Sequence, residues 1–326
     1  MASRRLEIAP FTTDAIDDAA RLLAARHRAQ RAIEPGLNPA FEDVAASRDA
    51  IEGLLATDGA SGAVARRTGS VVSYVIATPR AGTWGSSMWV EGAGHAVAEG
   101  EADAVRDLYG WLAGRWVETG TNRHTVIVPA TDAPLVEAWF RSGFGQQHIH
   151  GIRQSAAPGE TVAVPPGMSL RRAERRDIVA LGGLDLALYD HQRASPVFSM
   201  LGPATLDEQV ASWDEDIEDE RFHHVIVELD GRVVGGATGC SIDVSSEHRG
   251  IVRPASAGYL GFAAVLLEAR GIGVGRVLGE AILVWARDAG YPVVITDWRE
   301  TNLLSSRAWP ALGFRPLFRR LHRAIA

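Results

Sequence analysis

The stretch Tyr259–Thr296, YLGFAAVLLEARGIGVGRVLGEAILVWARDAGYPVVIT, holds a strand, a glycine-rich turn, a helix and a second strand in succession. Tyr259 to Leu267 is an apolar run of strand length. From Arg276 to Ala289, the residues Val277, Leu278, Ala281, Ile282, Trp285 and Ala289 recur on one helical face, and Gly290 supplies a C-terminal stop. Val293 to Thr296 then reads as a buried strand. Strand, crossover helix and strand imply a parallel pair. Upstream, His224–Leu229 and Arg232–Cys240 read as strands joined by Asp230-Gly231, a tight-turn signal for antiparallel neighbours. The sheet is therefore expected to be mixed and mostly antiparallel.

The same order occurs earlier in the chain. Gly120 to Phe144, GTNRHTVIVPATDAPLVEAWFRSGF, aligns without a gap on Gly290 to Phe314, GYPVVITDWRETNLLSSRAWPALGF, at an offset of 170 residues. Asp132 falls on Asn302, Trp139 on Trp309, and Gly143-Phe144 on Gly313-Phe314. The order and spacing point to an internal duplication. Each half opens with a short strand, Leu6–Ala9 or Leu170–Ala173, and a helix beginning near Asp14 or Asp177. A second helical region follows, at Phe41–Leu55 or Leu206–Asp219. In the first half Gly62–Ala65 and Val71–Thr78 read as the next strands, and Ser305–Leu312 is a short helix late in the second half. Between the halves, Ser155–Gly167, SAAPGETVAVPPG, has the composition of a linker. The expected division is residues 1–154, a linker 155–167, and residues 168–326. The fold class is α/β, two tandem domains with a mixed, mostly antiparallel sheet flanked by helices in each.

Composition removes several mechanisms. All 33 basic residues among the 326 are arginine, so no lysine of this chain can form a Schiff base or complete a P-loop. With 40 acidic residues the formal charge is -7, which argues against nucleic acid as the main partner. The single cysteine, Cys240, has no intrachain disulfide partner and reads as structural. No charge-free apolar run reaches membrane-spanning length, and the opening MASRRLEIAPF lacks the apolar centre of a signal peptide; a cytoplasmic location and no membrane partner are expected. Metal ligation is not expected either, since the adjacent His223 and His224 alternate faces on a strand.

The turn Arg270-Gly271-Ile272-Gly273-Val274-Gly275-Arg276 lies directly between the strand and the helix. Its glycines permit close approach of a ligand, and free N–H groups at the helix start receive anions. A dinucleotide fingerprint does not fit, because the gap before the last glycine is wrong and the turn comes late in its half. At this point the sequence resembles the GCN5-related N-acetyltransferase (GNAT) superfamily in its tandem-domain type. The family's pyrophosphate pattern is Gln or Arg, two residues, Gly, one residue, then Gly or Ala. It is similar to Arg270, Gly273 and Gly275, and the later asparagine, short helix and closing Gly-Phe are similar to Asn302, Ser305–Leu312 and Gly313-Phe314.

The resemblance implies an N-acetyltransferase that moves an acetyl group from acetyl-CoA, its cosubstrate, to a primary amine of a small molecule by direct attack. It implies that the strand ending near Val265 pairs with the pantetheine arm. The N–H groups of Gly271, Ile272, Gly273, Val274, Gly275 and Arg276 would take the pyrophosphate, with Arg270 and Arg276 adding charge. Asn302 reads as a cofactor contact or an N-cap, and Trp309 as core packing or a side of the acyl-CoA groove. Glu247 and Asp297 are candidate bases, with His248 an ordinary loop residue, and Tyr259 is a candidate proton donor. The family commonly has a tyrosine where Trp309 stands, and an indole is a very poor acid, so that general-acid role does not transfer. The alternative is a non-catalytic CoA-binding regulatory or sensor protein. In the first half the glycine turn is replaced by Gly100-Glu101-Ala102-Asp103-Ala104-Val105, whose acids repel pyrophosphate. That half is expected to be non-catalytic, with Trp84, Trp89, Trp111 and Trp116 in core or interface positions. A monomer or homodimer is expected.

Overall fold

In the computed structural model, the structure describes residues 5–81, 86–199, 202–246 and 248–325. Trp84 and Glu247 lie outside the described residues. The chain forms two compact units. One runs up to Ile149 and takes in Arg249–Ala255 and the residues from Pro316 onward; the other is His150–His248 with Ser256–Arg315.

The first unit begins β1 (Glu7–Pro10), α1 (Ile16–Ile33), α2 (Val44–Leu55), β2 (Ser61–Arg67) and β3 (Ser70–Arg80). It continues β4 (Ser87–Val90), β5 (His95–Val97), α3 (Ala104–Glu118), β6 (Arg123–Pro129) and α4 (Ala133–Arg141). Strand β7 (Gly145–Gln154) leads the chain from this unit into the second. There follow β8 (Met168–Arg172), α5 (Ile178–Arg193), α6 (Leu206–Asp216), β9 (Phe222–Leu229), β10 (Arg232–Ser241) and β11 (Gly258–Val265). Helix α7 (Val274–Asp288), β12 (Val293–Arg299), α8 (Ser305–Ala311) and β13 (Arg315–Ala324) complete the chain.

Apart from β5, the second series repeats the first. Helices α3 and α7, strands β6 and β12, and strands β7 and β13 are displaced by 170 residues at both ends. In the first unit the strand order is β1-β2-β3-β4-β6-β13, with β5 on β3. The chain's last strand pairs antiparallel with β6, from Phe318 opposite Pro129 to Ala324 opposite Arg123. Its core gathers Leu108, Leu112, Trp116, Val126, Leu135, Trp139 and Phe144 beneath the sheet. Trp89 is buried as well, and Trp111 is partly buried under the Arg115 guanidinium, 3.6 Å from its ring centre.

In the second unit the order is β12-β11-β10-β9-β8, antiparallel except for β11 and β12. Asp230 and Gly231, at φ 51° and 75°, make the β9–β10 turn, as a two-residue turn between twisted strands requires. Helices α5 and α6 cover one face through Ile178, Leu181, Leu184, Trp213 and Ile217. The buried residues Val274, Val277, Leu278, Ala281, Ile282 and Leu283 mark the inward face of α7. The segment after β7 is not loose: Ser155 Oγ donates to the Tyr291 carbonyl at 2.7 Å, and Arg287 donates to the carbonyls of Ala157 and Glu160 at 3.0 and 2.6 Å.

The start of α5 is clamped to the sheet by one arginine. Arg171 on β8 donates to both Asp177 oxygens, at 2.7 and 2.9 Å, and twice to Glu228 Oε1 on β9, at 3.1 and 2.7 Å. Hydrogen bonding to this guanidinium holds both carboxyls below the usual carboxylate range. A depressed carboxyl pKa stabilises the fold above the unfolded value, near 4, and that contribution is lost as pH falls through the folded value. Asp177→Asn should therefore cost about 1–3 kcal/mol near neutral pH. Its deficit against wild type should shrink steadily in acid below about pH 4, as read from chemical-denaturation midpoints of the two proteins across pH.

Candidate active site: a strand divergence beside a glycine turn

Strands β11 and β12 pair for three residues only, Gly258 with Val294, Tyr259 with Ile295 and Leu260 with Thr296. Thr296 Oγ1 also donates to the Leu260 carbonyl at 2.9 Å. Beyond that rung both strands continue, to Val265 and Arg299, without pairing to each other. On its other side β11 remains paired with β10 as far as Val265 opposite Gly235. Gly261 is passed over in that ladder, since Thr238 faces Phe262 while Gly239 faces Leu260. A bulge of this kind bends the strand and resets its alternation. It therefore leaves Tyr259 and Phe262 on one face and turns the Gly261–Val265 edge away from β12.

At the divergence stand two of the residues singled out in the sequence. The Tyr259 hydroxyl donates to Asp297 Oδ1 at 2.8 Å, and Asp297 is the first residue of β12 past the last rung. The buried His248 ring lies 5.1 Å from the Tyr259 ring, and buried His150 lies 4.6 Å from His248. Ser245 Oγ holds His248 Nδ1 at 2.9 Å. His248 is thus part of this cluster rather than an ordinary loop residue. No sequence signal marked His150, which comes from β7, far away in the chain.

Val265 ends β11, and the glycine turn follows. Arg270 Nε donates to the Val265 carbonyl at 3.2 Å, so this arginine braces the turn. Gly273 is the N-cap of α7 at φ 103°, a left-handed conformation that glycine adopts without strain. Arg276 and Val277 N–H groups bond the Gly273 carbonyl at 3.0 and 3.1 Å. Those of Val274 and Gly275 have no acceptor within the helix, by helix geometry. A Cβ on Gly271 would meet nothing within 4 Å, one on Gly273 only Pro165 at 4.0 Å, and one on Gly275 only Val265 at 3.9 Å. Packing does not explain a glycine inside the first turn of α7, whereas a ligand lying against the backbone does. Ile272 is half-exposed, and exposed Arg276 pairs with Glu280 along the helix at 2.8 Å.

Asn302 and Trp309 sit in structural roles. Asn302 Oδ1 accepts from Leu304 N at 3.1 Å and Ser305 N at 3.4 Å, capping α8, and from His191 Nε2 at 3.1 Å. Trp309 is buried, edge-on to Phe314 at 5.9 Å, and flanks Gly279 of α7.

Next to Tyr259, on the α5–α6 face, lies a cavity of about 250 Å³. Its floor is two rows across β9, β10 and β11: Phe222–Cys240–Tyr259 and His224–Thr238–Phe262. Asp185, Ser212, Trp213 and Asp216 come from the helices. Burial pushes the Cys240 thiol up to about 11, which makes it a poor nucleophile. Among the described residues no group of three or more His, Cys, Asp or Glu could hold a metal, and no helix is long and apolar enough to cross a membrane.

The first unit keeps the skeleton without the chemistry. At the 170-residue offset, Trp89 and Ile127 occupy the places of Tyr259 and Asp297. Strands β4 and β6 likewise pair for three residues, ending at Val90 opposite Val126. The next carbonyl, that of Ile127, receives a hydrogen bond from His95 Nε2 at 2.9 Å. Arg26 donates to the carbonyls of His95 and Gly92, and burial lowers the His95 pKa to about 3, so the ring is neutral. The opening is thereby filled by the chain itself. Glu101, in the counterpart of the glycine turn, forms a fork with Arg67 at 2.7 and 2.8 Å.

Comparison with known proteins agrees with this geometry. The model of the Acetyltransferase (GNAT) family matches residues 187–314. A GCN5-related N-acetyltransferase from Sphaerobacter thermophilus superposes with a TM-score of 0.56 at 14% identity, over 99% of this chain and 97% of its own. The GCN5-related glucosamine N-acetyltransferase region of a fungal multi-domain GH3 beta-N-acetylglucosaminidase gives a TM-score of 0.52 at 16% identity, over 99% of this chain and 38% of that protein. No curated protein matches the sequence significantly. At these identities the two structures establish likeness of fold.

Replacing Asn302 with alanine removes the acceptor for three donors and should lower stability by about 1–2 kcal/mol. Asn302→Asp, which keeps the cap, should retain most of it; thermal melting of the two variants checks the pair.

Proposed function

From the match of residues 187–314 to the Acetyltransferase (GNAT) family, we propose that the chain is an acetyl-CoA-dependent N-acetyltransferase acting on a primary amine of a small molecule. One observation carries the reading: a tyrosine and a carboxylate, hydrogen-bonded at 2.8 Å, stand where β11 leaves β12. The free edge of the same strand leads to the glycine turn. The Gly261–Val265 edge offers backbone groups to the amides of a pantetheine arm. The first N–H groups of α7 would hold the pyrophosphate, with the helix dipole adding attraction.

Asp297 serves as the base that takes a proton from the attacking ammonium. The freed amine lone pair forms the C–N bond to the thioester carbonyl, and the C–S bond then breaks. Tyr259, whose hydroxyl already bridges to Asp297, passes a proton to the departing sulfur while receiving the one Asp297 has collected. Product amide and free thiol result, and the second ammonium proton goes to solvent. This relay supplies the acid that buried Trp309 cannot, since an indole N–H is not a usable acid. The unit containing Trp89 and Ile127 has neither partner of the relay, and its role is shaping and packing.

Two substitutions test this reading. Gly275→Ala should leave the fold intact or stabilise α7 by up to about 1 kcal/mol, because alanine is the better helix former. Its CoA affinity by calorimetry should fall at least about tenfold, as a methyl group enters the ligand's space. Tyr259→Phe should lower kcat for amine-dependent thiol release about a hundredfold, with CoA affinity retained. Wild-type protein that binds CoA but releases thiol with no amine would instead be a sensor.

A further inference from the structure

The cavity beside Tyr259 has a composition that the acetyl donor does not account for. Its helical side carries two carboxyls, Asp185 on α5 and Asp216 at the end of α6. Aromatic rings from α6 and from the strands stand beside them. Trp213 stands edge-on to Phe262 at 5.3 Å and to His224 at 5.1 Å, and Phe222 lies nearly parallel to His224 at 5.7 Å.

None of the lining side chains brings a positive charge. His224 Nε2 donates to the Asp216 carbonyl at 3.2 Å, leaving Nδ1 to accept from Thr238 Oγ1 at 2.9 Å, and burial lowers its pKa, so the ring is neutral. Arg175 pairs with Asp214 and Glu218, and Arg172 donates to the Phe222 carbonyl. Arg221 pairs with Asp219, and its charge also reaches Asp216 without a direct ion pair. Burial raises the Asp185 pKa, with the Trp213 indole offsetting part of that effect, so its carboxylate remains penalised until a cation joins it. Aromatic faces together with carboxylates form the surface that attracts an ammonium group.

The positions of these groups give the cavity two ends. Asp216 stands over β9, where its carbonyl takes the His224 hydrogen bond, while Tyr259 and its partner Asp297 lie at β11 and β12. Two strand spacings, roughly 10 Å, separate β9 from β11. At about 250 Å³ the space is smaller than pockets built for drug-sized ligands.

The geometry points to a small diamine as the acceptor: one amine reacts at the Tyr259–Asp297 end while a second, protonated amine rests between Asp185, Asp216 and the rings of Trp213 and Phe222. This rests on the acetyltransferase reading above, but the ammonium site is measurable without turnover. The probes are α,ω-diaminoalkanes of three to eight carbons and the n-alkylamines of matching length, titrated calorimetrically into the CoA-saturated full chain. At one or more lengths the diamine should bind at least about tenfold tighter than its monoamine. That advantage should fall severalfold in Asp216→Asn and in Asp185→Asn, with CoA affinity showing that both variants are folded.

Equal affinities at every length, an advantage that survives both substitutions, or tighter binding of a lysine-bearing peptide than of any free diamine would overturn the proposal. Thiol release assayed with the same amines separates the two readings. A diamine advantage in binding with no thiol release sustains the ammonium site and removes the enzyme, whereas thiol release equally fast with diamines and monoamines that also bind equally does the reverse.

Discussion

The candidate site depends on how soon the parallel pairing of β11 and β12 stops. Three rungs hold the strands together, and Thr296 closes the last by taking the Leu260 carbonyl. Had the ladder continued, the backbone groups of Gly261–Val265 would be spent on β12, and Asp297 would be one more residue of a closed sheet. The bulge at Gly261 ends that possibility by bending β11 while keeping it attached to β10. The same bend sets Tyr259 and Phe262 on one face, so the reacting pair and the cavity share a wall. The strand then runs directly into the turn that opens α7, and an extended ligand would meet strand edge, glycine turn and helix start in order.

The two halves show that this skeleton is not sufficient. Helices α3 and α7, strands β6 and β12, and strands β7 and β13 coincide at a fixed offset, and in both halves a short parallel ladder is followed by a divergence. In the first unit, however, a neutral His95 ring bonds the first carbonyl past the ladder and Arg26 fastens the segment that carries it. A backbone group already satisfied by the protein has little to gain from a ligand. Glu101 and Arg67 neutralise each other where the second unit leaves helix N–H groups open. The difference between the units therefore lies in which polar groups the fold leaves unspent.

Much of this was legible from residue order alone. The period of Val277, Leu278, Ala281 and Ile282 announced α7, and Asp230-Gly231 marked a hairpin whose two turn residues both adopt positive φ. Strands β7 and β13 were not legible, because buried polar residues interrupt their alternation: Arg320 and His148, both buried, bond each other in the first unit. Their inward positions look outward to any pattern based on hydropathy. Tyr259 and Asp297 could each be named, but the bond between them is a product of parallel register, which fixes residues 38 positions apart. The cavity was further out of reach, since its walls come from two helices and three strands, and the pairing rows that juxtapose Phe222, Cys240 and Tyr259 are set by two separate ladders.

The absence of lysine gains a physical meaning from this arrangement. Arginine keeps its charge at any ordinary pH and holds partners in a planar fork. Arg171 fastens two carboxylates, Arg67 one and Arg270 a carbonyl. Arg221 pairs with Asp219 and reaches Asp216 only through space, and no lysine exists to fold over the carboxyls of Asp185 and Asp216 beside the cavity. Charge that the protein does not itself compensate must be met by solvent or by a bound cation, and the aromatic walls around these carboxyls limit what solvent can do. The feature that removes lysine chemistry from the enzyme thus also leaves a place for an amine supplied from outside.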